Sequence, residues 1–158
     1  MPMTAESLCA NLIERYLSTS GLQFLKGEHD GEYFCVVNAD SGRLHVHLEV
    51  SPSFGDMLSV GVNPGRFFPG RDRARLTRFA DTWNRRHRGV TAIVRGSADS
   101  ERIGLVARRS QWMPEGIPFE RFASFVDRTI AEAVDLFAAA AVVVELDSSA
   151  QPVLRDAS

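Results

Sequence analysis

Residues 43–50 alternate without a break: Leu44, Val46, Leu48 and Val50 point one way, and Arg43, His45, His47 and Glu49 the other. Successive strand side chains leave on opposite faces, so this period fixes a strand with one dry side and one wet side. A chain organised around such a strand must supply an apolar layer for that dry side.

The flanking residues read as a meander. Leu22 to Lys26 is short and strand-like, and Glu28-His29-Asp30-Gly31 carries an Asp-Gly pair suited to a tight hairpin. Glu32 to Ala39 follows with apolar residues on both sides, Tyr33, Cys35 and Val37 against Phe34 and Val36. That pattern predicts a central strand covered on both faces. Asp40-Ser41-Gly42 turns the chain, and after the loop Ser51 to Gly55 a fourth strand runs from Asp56 to Asn63, with Leu58, Val60 and Val62 inward. Asn63-Pro64-Gly65 ends it with strong turn chemistry.

Helical periodicity appears in three places. Residues 4–19 put Leu8, Leu12 and Tyr16 on one stripe with Cys9, Ile13 and Leu17 beside it, Thr4 as N-cap and Gly21 as stop. Asp72 to Arg86 carries the stripe Leu76, Phe79, Ala80 and Trp83, with a guanidinium-rich face opposite. Pro118 suits the first position of a third helix, whose residues Phe119, Phe122, Val126, Ile130, Ala133 and Phe137 keep one face apolar. Between the last two helices, Val90 to Gly96 and Arg102 to Arg109 read as a hairpin around residues 97–100. The predicted class is α+β with a mostly antiparallel sheet, in the order α-β-β-β-β-α-β-β-α.

With 158 residues the chain suits one domain, 1–146, followed by a polar stretch, 147–158, read as a flexible tail. Net charge is −2, but residues 66–88 alone hold eight arginines and two aspartates. Lys26 is the only lysine. Cys9 and Cys35 are too few for a disulfide framework or a metal knuckle and read as buried thiols in a reducing compartment. The N-terminus lacks the pattern of a signal peptide, and the longest apolar run, Leu136 to Val144, is about half of a membrane span. A cytoplasmic location without membrane contact is expected.

The segment Leu76 to Trp83-Asn84, the strand pair near residues 90–110, and Gly116 to Phe137 together resemble the YbjN family, proposed bacterial sensory transduction regulators. That family is similar in fold to the class I chaperones of type III secretion. The resemblance implies a small cytosolic protein, a homodimer, that binds another protein or peptide segment and performs no chemistry. It carries over no catalytic residue.

The residues themselves agree that an enzyme is the least supported class. Gly61, Gly65 and Gly70 lack phosphate-loop spacing, and no nucleophile elbow or useful Cys/His pairing occurs. No cofactor is expected. The tentative partner-binding set is Phe67 and Phe68, in a turn-rich loop, with Arg71, Arg75, Arg78, Arg85 and Arg86 around the second helix. The alternative use of the arginines is a polyanion such as nucleic acid, although no nucleic-acid motif accompanies them. Trp83 belongs to the apolar stripe, which favours core over base stacking, and Asn84 reads as a structural amide that satisfies free carbonyls near the helix end or turns the chain. His45 and His47 stand roughly 7 Å apart on one strand face and could meet a metal with Glu49 or His29. Arg43 shares that face, so a solvated strand is the favoured reading and no metal is expected.

Overall fold

The computed structural model describes the backbone of residues 5–40, 42–54, 56–96 and 101–157, and the side chains of residues 11–40, 42–54, 56–96 and 101–144. The predicted cap at Thr4, the side chain of Cys9 and the turn at 97–100 lie outside them.

The chain runs α1 (Ala5–Thr19), β1 (Phe24–Lys26), β2 (Glu32–Ala39), β3 (Gly42–Val50), β4 (Met57–Pro64), β5 (Phe68–Pro69), a 3-10 turn (Gly70–Asp72), α2 (Arg73–Arg86), β6 (Thr91–Arg95), β7 (Arg102–Trp112) and α3 (Phe119–Ala157). The strands form one antiparallel sheet in the order β1-β2-β3-β4-β7, with β5 and β6 also paired to β7. The expected order of helices and strands is therefore the observed one. The two-residue β5 is an addition, made where the sequence shows only a Pro/Gly-rich loop.

Alternation along β3 sets the layers. Leu44, Val46, Leu48 and Val50 are buried, as are Leu58, Val60 and Val62 of β4 and Ile103, Leu105 and Ala107 of β7. The helices pack on this side, supplying Ile13, Tyr16 and Leu17 from α1, Leu76, Ala80 and Trp83 from α2, and Phe122, Val126, Ala133, Leu136 and Phe137 from α3. One continuous apolar core results, the main favourable term for folding.

Side-chain polar groups fasten the layers where the core ends. Tyr16 donates to Asp127 Oδ1 at 2.6 Å, tying α1 to α3, and Tyr33 donates to Glu14 Oε2 at 2.9 Å, tying β2 to α1. Burial and an adjacent carboxylate push both phenols well above the ordinary tyrosine range.

Helix ends follow the expected chemistry with small shifts. Gly21 takes a left-handed φ of +69°, and Leu22 N–H donates to Leu17 O at 2.9 Å, closing α1. The Pro118 carbonyl accepts from Arg121 and Phe122, so the proline sits at the cap, one place earlier than predicted. At its other end α3 continues to Ala157, through the stretch whose sequence shows no periodicity.

Candidate functional site

All three helices cover one side of the sheet, and the other side is bare. The strand registers place a continuous row across this bare side: Leu25, Phe34, His47, Gly61, Arg108 and Thr91 are successive cross-strand partners from β1 to β6. A parallel row joins Val36, His45 and Asn63. Leu25, Phe34 and Val36 are 74%, 45% and 40% exposed and form an apolar patch near the β1 margin. Phe34 also packs against His47, with ring centroids 4.7 Å apart and planes tilted by 31°.

This corrects the reading of β2 as a strand covered on both faces. Its Tyr33 and Cys35 are buried, but Phe34 and Val36 meet solvent because, among the described residues, no fourth helix covers that side. Burial pushes the Cys35 thiol up to about 11.

The margin beside the patch is open as well. β1 pairs with β2 only from Phe24, opposite Cys35, to Lys26, opposite Tyr33, whereas β2 continues to Ala39. Gly27 N–H donates to Glu32 O at 2.7 Å, which fixes the alternation of that ladder. Val36 then faces Gln23 with its N–H, while its C=O and both outer groups of Asn38 point to the side that β1 does not reach. A groove runs there, lined among others by Leu22, Leu25, Phe34, Val36, Arg43 and Asn63.

The residues singled out around α2 divide. Phe68 is 7% exposed and plugs the core opposite Ile103, while Phe67 is 63% exposed and lies under the Arg102 guanidinium, 5.9 Å from its centroid. Arg75 is held by the buried Asp72, Nη1 to Oδ1 at 3.0 Å, so its charge is engaged within the fold. Arg71, Arg78, Arg85 and Arg86 are exposed, and Arg85 also reaches Thr82 Oγ1 at 3.4 Å.

Trp83 is core, with Nε1–H donating to the carbonyl of Val90 at 3.2 Å. Asn84 is structural, but its partner is a strand and not its own helix end. Its Nδ2 donates to Ala92 O at 3.0 Å and its Oδ1 accepts from Ala92 N–H at 2.8 Å. One amide thus copies the two bonds a neighbouring strand would make.

The histidines separate too. His47 Nε2 lies 2.9 Å from Glu32 Oε2 and His29 Nε2 lies 2.9 Å from Glu49 Oε2, while His45 stands farther along the sheet opposite Val36 and Asn63. The His47 hydrogen bond holds the Glu32 carboxyl below its ordinary range, and the Glu49 hydrogen bond raises His29 above its own. The exposed Phe34 and Val36 went unmarked in the sequence; the available signal was a strand apolar on both faces in a chain with too few helices to cover both.

Among the described residues, no helix is long and apolar enough to cross a membrane. No protein-family model matches the sequence, and no curated protein does. Solved structures do match. The complex of ExsC with ExsE aligns at a TM-score of 0.48 and 17% identity, covering 84% of this chain and 90% of that one. An uncharacterised protein from Methanothermobacter thermautotrophicus aligns at 0.55 and 13% identity, covering 87% and 97%. YbjN from E. coli, described as a candidate transcription regulator, aligns at 0.60 and 14% identity over 80% of this chain and 86% of its own. In fold the helix-covered antiparallel sheet is thus similar to YbjN, as Trp83-Asn84 and the surrounding element order suggest.

Proposed function

We propose that this chain is a non-catalytic, cytoplasmic protein-binding module of chaperone-like or regulatory type, which holds an extended apolar segment of another protein beside β2. The observation that carries the reading is the coincidence of the Leu25, Phe34 and Val36 patch with a margin of β2 that, among the described residues, has no strand partner beyond Phe24. An added strand would bond to the Val36 carbonyl and to Asn38 while its alternate side chains covered Phe34 and Val36. Self-association through the same sheet face, or through α2, is the homodimer form of this reading.

A photo-reactive amino acid in place of Val36 tests it. Cross-links in the source cell to another protein at position 36, absent at position 85 on the far side and lost with Phe34→Asp, are the expected result. Equal cross-linking at both positions, or none at 36, overturns it. Cross-linking of the chain to itself would assign the margin to a second copy instead.

The exposed Arg71, Arg78, Arg85 and Arg86 favour a second reading, binding of a polyanion by α2. Retention on heparin at physiological salt, lost when Arg78, Arg85 and Arg86 are changed to Glu, would support it, and no retention would remove it.

A further inference from the structure

Beside the Phe34 row, the hairpin Glu28 to Gly31 folds back over the start of β2 and the end of β3. Glu32 and Glu49 are cross-strand partners, so their carboxylates leave the sheet side by side on the bare face. His29 reaches over from the turn. One donor atom each from His29, Glu32 and Glu49 lie within 4.8 Å of one another. His47 stands beside this group: its Nε2 is 2.9 Å from Glu32 Oε2, although it does not share the 4.8 Å spacing with His29 and Glu49.

Two features make this more than a solvated cluster. Both ring nitrogens of His29 face oxygen acceptors: Nδ1 is 2.8 Å from the Asp30 carbonyl and Nε2 is 2.9 Å from the Glu49 carboxylate. A neutral imidazole has one N–H to give, so a second cation on Nε2, either a proton or a metal, completes the arrangement. The Asp30 contact is also the outer hydrogen bond that orients a metal-bound histidine with its other nitrogen toward the ion. Moreover, Glu28, Asp30, Glu32 and Glu49 make this end of the sheet acidic, whereas Arg43 stands away from it, opposite Asn38.

We propose that His29, Glu32, Glu49 and His47 form a binding site for a divalent transition metal of the zinc class. Two imidazoles and two carboxylates are a borderline donor set, suited to zinc and its neighbours and poorly suited to calcium or magnesium, which take oxygen ligands. Zinc bonds of about 2.0–2.2 Å place tetrahedral ligand atoms roughly 3.4 Å apart, so the donors of His29, Glu32 and Glu49, within 4.8 Å of one another, close in by up to about 1.4 Å, and the His47 ring swings toward them as well. The ion would join the β1–β2 turn to β3 and fix the His47 ring against which Phe34 packs. The site stands on these four side chains whether or not the neighbouring face binds a protein.

The test uses the full, untagged chain and zinc chloride in isothermal titration, with cobalt(II) absorption as a report on geometry. The expected result is one zinc per chain with micromolar affinity or better and a tetrahedral cobalt spectrum. His29→Ala and Glu49→Gln should each weaken affinity by about ten-fold or more. His45→Ala, on the same face but outside the cluster, should leave it unchanged. Circular dichroism without metal shows whether each variant is folded, and Glu49→Gln, nearly isosteric, keeps the test decisive if His29→Ala disturbs the turn. Absence of saturable binding by the unsubstituted chain overturns the proposal. So does affinity that survives both substitutions or falls only with His45→Ala.

Discussion

At one margin of the sheet, β6 lies against α2 and side chains occupy backbone groups at its start: Asn84 takes both those of Ala92, and Glu132 Oε2 accepts from the N–H of Val90, just before the strand, at 2.9 Å. At the other, β2 runs past the end of β1 with Val36 and Asn38 facing solvent. Both are margins of one antiparallel sheet, yet one is finished by side chains and the other is left able to pair. An unfinished strand edge invites aggregation, and proteins commonly blunt such edges with charge, proline or a covering element. The margin near Val36 carries apolar side chains instead, which fits a surface kept for a partner.

The largest expected effect comes from breaking the finished margin. Trp83→Ala removes a buried indole and its bond to Val90, and should cost about 3–5 kcal/mol in chemical denaturation. Asn84→Ala strips Ala92 of both side-chain bonds. It should cost about 1–2 kcal/mol and raise the tendency to aggregate, because a second margin is then open. If Asn84→Ala unfolds at the same denaturant concentration as the parent chain, the amide is not what finishes that side.

The open margin should respond in the opposite way. Val36→Lys or Phe34→Asp should change stability by less than about 1 kcal/mol, while partner cross-linking disappears. A large loss of stability there would mean that the patch is buried in the free protein. Smallest of all, Arg78→Glu with Arg85→Glu should leave stability within about 0.5 kcal/mol and alter only retention on heparin.

A pH measurement compares the two faces of β2 itself. The Cys35 thiol, on the buried face, is raised from an ordinary 9.0 to about 11. Below pH 9 the thiol is protonated in both folded and unfolded chains. Above it the unfolded chain loses its proton first, so stability should fall between pH 9 and about 11, and Cys35→Ala should flatten that fall. An unchanged slope in the variant would show that the decline comes from elsewhere, such as the buried Tyr16 and Tyr33.

The core was legible in the sequence because periodicity reports burial directly. Leu44 to Val50 in β3 and Leu76, Ala80 and Trp83 in α2 are buried as their spacing requires. What stayed hidden depends on separations along the chain that no local pattern records. The sequence reading ties Asn84 to the carbonyls of its own helix, but it bonds to Ala92, and Phe67 and Phe68 look alike until β5 turns one inward and the other out. Likewise, His45 and His47 are close in sequence and look like a metal pair on one strand face. Folding instead brought His47 to Glu32 and His29 to Glu49, through the turn at Gly31 and the β2–β3 register.

The two tryptophans carry an optical consequence. Trp83 is buried and stacked on His87, with ring centroids 3.6 Å apart and planes within 12°, while Trp112 is 53% exposed and meets Phe54 edge-on. Their fluorescence should therefore divide into a blue, contact-quenched component and a red component open to dissolved acrylamide. The blue part reports whether α2 still sits on β6, so loss of the finished margin could be timed apart from unfolding of the rest of the sheet.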